Sequence, residues 1–319
     1  MNNNLVVFLR TVMCLVFISS YTQAQCPPAA ELPTPEHMPA LLQSAKDRGF
    51  LWKISKQGQD SWLYGTIHAN RLEGMLPGPQ TRQALQQSDV IALELNLADP
   101  ATITQIMALS KRGAGRVPAQ FLPRLKAQLN KNCLPLELIG QQHPSLLFSS
   151  IMLTDARHDG IEPAFGSEIV LLGLAQGSNK PVIALETPKE QMGAMLGESD
   201  KILPEQFEAG LALLESGQGR AQVLKMVDVW NRSDLAVFEN YRQWCQCVET
   251  AADRAMMKRI NDDRNVVIAQ RIAQQYRQGQ TMFIAVGSLH MVGKTGLPSL
   301  LKQHGFTVER VVFDDGAGQ

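Results

Sequence analysis

Two histidines in matching settings are the residues of this sequence best placed to do chemistry. Trp62-Leu-Tyr-Gly-Thr-Ile-His68 and Met282-Phe-Ile-Ala-Val-Gly-Ser-Leu-His290 are short apolar runs that break at a glycine and present a histidine three residues later. An imidazole can ligate a metal or shuttle a proton. The glycine is expected to permit a turn that leaves each histidine at a strand end, where loops collect function. One Gly-x-x-His is a weak signal, because a histidine on an apolar segment is more often packed core; the repetition in matching contexts argues for a site. Two carboxylates join the set. Val90-Ile-Ala-Leu-Glu94 and Val182-Ile-Ala-Leu-Glu186 are the same pentapeptide, four apolar residues ending in a glutamate. Such a run reads as a strand buried on both faces. An ionised carboxylate left unpaired there costs on the order of several kcal/mol. Each glutamate therefore needs a cation, a metal or water, unless it is simply the first solvated residue past its strand.

Two imidazoles with one or two carboxylates are a donor set for a divalent cation. Nitrogen and oxygen ligands suit zinc, manganese, cobalt or iron better than calcium. Such an ion polarises a carbonyl and acidifies bound water, and a remaining glutamate can act as general base. Without a metal the same residues form an acid–base pair. Other hydrolytic signatures do not occur: there is no His-Glu-x-x-His, no Gly-x-Ser-x-Gly and no phosphate loop. His37, His143, His158 and His304 have no repeated context and read as surface or packing residues.

The elements that position these residues repeat as well. After each histidine come Leu-Pro (76–77 and 297–298), a helical pattern (80–87 and 299–304) and a further strand (89–94 and 306–313). The expected fold is α/β, or α+β: a central mixed sheet built from both ends of the chain by these two strand–Gly-x-x-His–helix–strand units. If both ends share one sheet, His68, His290, Glu94 and Glu186 meet at one edge. A hairpin around Gln57-Gly58 delivers His68. Between the units lies a large helical insertion, roughly 100–280, with helices over 102–111, 118–130, 144–155 and from 162 to 177. A strand over 181–186 comes next, then a capping box at Thr187-Pro-Lys-Glu190. Residues 203–278 read as almost entirely helical, with Ser233 and Asp234 as caps. A long last helix (251–278) carries Arg254, Arg259, Arg264 and Arg271, most of them expected in solvent; Arg264 and Asn265 lie where acidic residues give way to apolar ones.

The 319 residues, 45% of them hydrophobic, suffice for one large domain. Thirty basic and thirty acidic side chains, with no basic run and few aromatics, give no reason to expect nucleic acid. Residues 1–24 look like an export signal: a charged start, an apolar core over 11–20 too short to span a bilayer, and small residues before a cut after Ala24. No later segment reads as a transmembrane anchor. A proline-rich tail is expected over 25–48, a single domain over 49–313 and a frayed end over 314–319. Export implies a periplasmic or secreted protein in an oxidising compartment. There Cys26, Cys133, Cys245 and Cys247 are expected as disulfides, with the closely spaced Cys245 and Cys247 paired to Cys26 and Cys133 rather than to each other.

Tyr64-Gly-Thr-Ile-His68, Leu93-Glu-Leu-Asn96, Asp159-Gly-Ile-Glu162, Lys180-Pro-Val-Ile-Ala-Leu-Glu-Thr187, Arg264-Asn265, Ala285-Val-Gly-Ser-Leu-His290 and the ending from Gly296 to Arg310 occur in the order typical of one family. Over about 50–312 the chain resembles the TraB/PrgY/GumN family, whose superfamily includes the Tiki metalloproteases. The resemblance implies metal-dependent hydrolysis, of peptides or of small amides or esters, with manganese or cobalt as the first expectation and zinc as another. It maps metal ligation onto His68, Glu94 and His290. Glu186 becomes a general base or further ligand. Arg264 becomes an oxyanion or carboxylate binder, supported by Asn265. Asn96 stands where the family commonly has an acid, which puts a role for that side chain in doubt. Two readings of other classes compete: a non-catalytic binding protein for a peptide, haem or polysaccharide-related ligand, and an envelope accessory protein whose helical insertion is an interface.

Overall fold

The computed structural model describes residues 26–197, 204–245 and 247–313. The expected export signal and the expected end tail lie outside the described residues.

The strands are β1 (Phe50–Lys56), β2 (Gln59–Thr66), β3 (Val90–Leu93), β4 (Val182–Ala184), β5 (Met282–Gly287) and β6 (Thr307–Val311), and they form one sheet in the order β4-β3-β5-β2-β1-β6. β4, β3, β5 and β2 run parallel, while β1 is antiparallel to both β2 and β6, so the sheet is mixed as expected. β1 and β2 form the expected hairpin, turning at Gln57 and Gly58, which both have positive φ. Two such residues give a turn whose twist matches the strands, and glycine adopts it without a Cβ penalty.

The two repeated units interlock rather than lie side by side. The first leaves β2 and re-enters as β3 on the far side of β5. The second leaves β5 and re-enters as β6 beyond β2 and β1. Their helices are α2 (Pro79–Gln86) and α14 (Leu297–Gln303). Leu297-Pro298 starts α14, whereas Leu76-Pro77 precedes α2, so the two copies diverge there.

The remaining helices are α1 (Met38–Ser44), α3 (Pro100–Ser110), α4 (Leu122–Lys131), α5 (Pro144–Asp155), α6 (Ser167–Gly177), α7 (Pro188–Leu196), α8 (Pro204–Glu215), α9 (Gln218–Asn231), α10 (Leu235–Glu239), α11 (Tyr241–Trp244), α12 (Ala251–Met257) and α13 (Asp263–Tyr276). Every residue of β3 and β5 is buried, as two-faced apolar strands should be. β4 departs from that expectation: it is an edge strand, its residues half-buried or exposed.

Among the described residues, three apolar clusters hold the fold. The main one joins the sheet to α2, α6, α9, α10, α13 and α14 through residues such as Leu85, Leu171, Trp230, Phe238, Ile268 and Leu301. A second, inside the insertion, is built by Phe121, Leu125, Leu129, Leu147, Ile151, Phe207, Leu211 and Leu214 from α4, α5, α8 and the turn before α4. The third packs Met38, Leu41, Leu42 and Ala45 around Met75, Leu76 and Phe165. The proline-rich segment is therefore not merely an extended tail: α1 forms within it and docks.

The disulfides also differ from expectation. Cys26 pairs with Cys133, and Cys245 pairs with Cys247. Cys133 comes just after α4 in the helical insertion, where the incoming N-terminal segment passes. Cys245 and Cys247 come just after α11 and pack against the main cluster, where they bond to each other rather than across to Cys26 and Cys133. Among the described residues no helix is long and apolar enough to cross a membrane.

Candidate active site

Parallel pairing of β2 with β5 matches Gly65 to Val286 and Thr66 to Gly287. The segments carrying His68 and His290 therefore leave the sheet side by side. Pairing of β3 with β4 sets Leu93 beside Ala184 and continues through Leu185 N–H to Leu93 O and Glu186 N–H to Glu94 O, at 2.8 and 2.9 Å. The two identical pentapeptides thus lie in contact, one residue out of register, and their glutamates emerge together.

The glycines serve a purpose other than the expected turn. Gly287 has φ −47°, which any residue adopts. What it supplies is room and an amide. Its N–H donates to Glu94 Oε1 at 2.8 Å. A Cβ placed there would lie 3.2 Å from Glu94 Oε1, 3.6 Å from His290 Cδ2 and 3.8 Å from His68 Nε2. Three candidate side chains from three parts of the chain therefore surround one bare backbone position. Gly65 likewise permits close approach, since a Cβ would lie 2.9 Å from Ser288 Oγ.

Each histidine is oriented through Nδ1. His290 Nδ1 lies 2.6 Å from Asn265 Oδ1, and the Asn265 amide nitrogen donates to Thr295 O at 2.8 Å. The carbonyl oxygen must therefore accept, which puts the His290 proton on Nδ1 and leaves the Nε2 lone pair available. Burial pushes this imidazole down to about 4, against the pull of Glu94, so it is neutral near pH 7. His68 Nδ1 lies 2.9 Å from Glu168 Oε1, with its side chain 73% exposed. The Glu168 carboxylate raises the imidazole above its usual range, against the cost of desolvation, and solvent screens part of that pull. A carboxylate only accepts, so this ring too keeps its proton on Nδ1 and turns Nε2 inward. Glu168 is itself held by Thr66 Oγ1 at 2.5 Å, and its Oε2 is buried without a hydrogen-bond partner among the described residues.

The His68 loop is strapped to the chain before α6. Ile67 N–H donates to Ser167 Oγ, Ser167 N–H returns to Ile67 O, and Asn70 and Glu162 exchange both backbone hydrogen bonds. Gly166 packs so closely that a Cβ would lie 2.5 Å from the His68 carbonyl oxygen. Glu162 is fixed by a two-point ion pair with Arg157.

Arg264 sits between the two glutamates. Its Nε and Nη2 donate to Glu186 at 2.8 and 2.5 Å, Nη2 also to Glu94 Oε2 at 2.6 Å, and Nη1 to Ile260 O at 2.9 Å. Glu94 Oε2 takes a further bond from Gln191 Nε2 of α7 at 2.7 Å. Burial alone would favour the neutral acid at Glu94, but His290, Arg264, His68 and the Gly287 amide hold it down at about 2. At Glu186 burial wins over Arg264 and the shift is upward. The helical path between α12 and α13 makes one turn of π-helix over Lys258–Asp262. Such turns recur at functional sites, because the extra residue rotates the side chains beyond it. Here Arg264 and Asn265, neighbours in sequence, reach Glu94 and His290 respectively.

All six residues singled out in the sequence, His68, Glu94, Glu186, Arg264, Asn265 and His290, are thus brought to one end of the sheet. Their partners differ from those expected: Asn265 supports His290 rather than Arg264, and both oxygens of Glu186 are taken by Arg264. Sequence reading missed Glu168, Gln191 and the donor role of the Gly287 amide. Glu168 and Gln191 stand in no repeated motif, and Gly287, the glycine of the second Gly-x-x-His, was expected only to permit a turn; the only trace of Glu168 is an acid in the first turn of a helix shortly after Pro163. Among the described residues no three His, Cys, Asp or Glu side chains form a group closed enough to hold a metal ion, since Glu94 is drawn onto Arg264, Gln191 and Gly287. In kind the donors do fit one: two imidazoles whose Nδ1 protons are engaged by oxygens, so that Nε2 is the atom left to ligate, His68 on giving up its proton there, and a carboxylate, around a cradle kept free of a Cβ. A cavity of about 560 Å³ lies at the opposite, amino end of the strands, lined by residues such as Trp62, Gln83 and Thr281. It contains none of these groups.

The family model for the TraB/PrgY/gumN family matches residues 50–310. Among characterised sequences, the chain is 26% identical to Metalloprotease TIKI1 of Danio rerio, across 82% of this chain and 62% of that protein. It is 24% identical to Metalloprotease TIKI2 of the same organism, across 83% of this chain and 62% of that protein. The chain thus spans under two thirds of the length of these relatives. It is also 22% identical to Uncharacterized protein YbaP of Shigella flexneri, across 76% of this chain and 88% of that protein. No solved structure matches.

Proposed function

Because the chain belongs to the TraB/PrgY/gumN family, we propose that it is an exported, metal-dependent hydrolase of peptide or related amide bonds. The observation that carries this reading is the convergence of His68, His290 and Glu94 on the bare Gly287 position, each histidine tautomer fixed by a buried or half-buried oxygen. Relatives named metalloproteases support it. His68, His290 and Glu94 would hold a divalent ion, manganese or cobalt first and zinc as the alternative. When bound, that ion supplies an acidified water and a polarised substrate carbonyl.

The chain's own residues divide the remaining work. Asn265 and Glu168 fix the two rings, the outer partners that ligating histidines require. Arg264 holds Glu94 ionised and anchored, and Glu186 fixes Arg264. A base role for Glu186 requires its release from Arg264; in the arrangement seen it positions. His68, the most exposed of the set, stands where a substrate enters. The disulfides fit an oxidising compartment, and the proposed location is the periplasm or the exterior.

Thermal unfolding with and without manganese, cobalt and zinc tests the site, because a ligand that binds only the folded state raises stability. Wild type should gain, and both His68→Ala and His290→Ala should lose that gain while keeping wild-type helicity. A peptide screen with the loaded protein is the next step. Gain retained in both variants would remove the ion from this site.

A further inference from the structure

Cys245 and Cys247 form a disulfide with a sequence separation of only 2, whereas Cys26 and Cys133 are 107 apart. A cross-link stabilises mainly by removing freedom from the unfolded chain, and the effect grows with the length of the closed loop. The long bridge has much to restrict; the short one has almost nothing. A bond that contributes so little to folding invites a chemical explanation.

Its surroundings suit exchange with an incoming thiol. Cys245 is buried, 5% exposed, and packs in the main apolar cluster, while Cys247 is half-buried and accessible from solvent. The Cys247 backbone N–H donates to Cys245 Sγ at 3.2 Å, a bond that strengthens when that sulfur carries negative charge. Cys247 is thus the more accessible partner, and Cys245 Sγ has the amide contact that would hold a leaving thiolate.

We propose that Cys245–Cys247 is a thiol–disulfide exchange site that accepts two electrons from a substrate dithiol. A substrate thiolate attacks Cys247 Sγ; the Cys245–Cys247 bond breaks, and Cys245 leaves as a thiolate held by the Cys247 amide. The second substrate thiolate attacks its own partner sulfur in the mixed disulfide and releases Cys247. The substrate ends oxidised to a disulfide, the cysteine pair ends reduced, and the two protons of the substrate thiols finish on Cys245 and Cys247. This activity is independent of the hydrolytic site.

The test uses the oxidised full chain under anaerobic conditions with a reduced dithiol peptide, and separately with glutathione. Acid quenching, alkylation and mass spectrometry then track both disulfides. The expected result is about one peptide disulfide formed per chain, with Cys245 and Cys247 alkylated at least about tenfold faster than Cys26 and Cys133. Glutathione should give a mixed disulfide on Cys247. Equal reduction rates for the two bridges, or reduction of the pair only in denaturant, would overturn the proposal. Cys245→Ser leaves Cys247 free and should trap the oxidised peptide as a mixed disulfide, whereas Cys247→Ser should not; the reverse pattern also overturns it. The wild-type comparison needs no variant, so a folding defect in either leaves the test standing.

Discussion

At the residue scale the site depends on one guanidinium. Arg264 is nearly buried, and it neutralises two carboxylates that are buried as well. Removing one partner of a buried ion pair leaves charge without compensation, so Arg264→Ala should destabilise by roughly 3–5 kcal/mol, measured by urea unfolding. A loss within that of a surface substitution would show that water replaces it freely. Gly287 makes the opposite prediction. Gly287→Ala suits the backbone, but its methyl would press on Glu94, whose carboxylate is pinned on three sides. Overpacking of this kind costs about 1–3 kcal/mol. The variant should fold and lose metal-induced stabilisation, and full retention of that response in a thermal melt would exclude the cradle.

These two residues also mark how far sequence reading reaches. Gly287 and the histidines were legible because their pattern is local and occurs twice. Glu94 and Glu186 were legible because a carboxylate ending an apolar run demands a partner. Which partner was not legible: Glu168 lies 100 residues from His68 in the chain, and Arg264 is 170 and 78 residues from its two glutamates. Only the fold sets those distances. The arginines of the last helical stretch show the same limit. Most of them were expected in solvent; Arg254 is exposed, but Arg259 donates to Ala194 O and Arg271 to Leu185 O and Glu190.

At the scale of elements, the capping box read at Thr187 and Glu190 is present in both directions, and it begins α7 directly after Glu186. Glu190 adds a two-point pair with Arg271 of α13. Arg271 and the Thr187 bonds hold its carboxyl down at about 2, against burial, from an ordinary 4.5. A depressed acid contributes stability above its unfolded value and loses it as pH falls through the folded one. Glu190→Gln keeps the box but removes the charge. It should cost about 1 kcal/mol or less near neutral pH, because the pair is partly exposed. That difference should shrink as pH drops from 4.5 toward 2, measured by denaturant titration across that range. A deficit that persists below pH 2 would assign the effect to packing. The π-turn before α13 had no such signature: a helical pattern with one extra residue looks like a slightly imperfect α-helix until its hydrogen bonds are seen.

At the scale of the whole molecule, the insertion has a core of its own, and the Cys26–Cys133 bridge ties the N-terminal segment to it. Cys133→Ser should lower stability by roughly 2–4 kcal/mol, read as a fall in the unfolding midpoint under non-reducing conditions. No change would mean that α1 docks without the tether. The mixed sheet and its assembly from both chain ends were visible in advance, because the strands at each end carry the same apolar pattern. The interlocking of the two units was not, since nothing local states which strand lies between which.

That interlocking has a consequence for synthesis. β5 fills the space between β2 and β3, yet it is made about 190 to 220 residues after them, and pairings so distant in sequence form slowly. A chain growing from the ribosome can close the β1–β2 hairpin early, but it holds β2 and β3 as two open edges until Met282 to Gly287 emerges. Until then there is no Gly287 amide for Glu94 and no His290 to face His68. The site is therefore absent from the growing chain until residues 282–290 have emerged and paired.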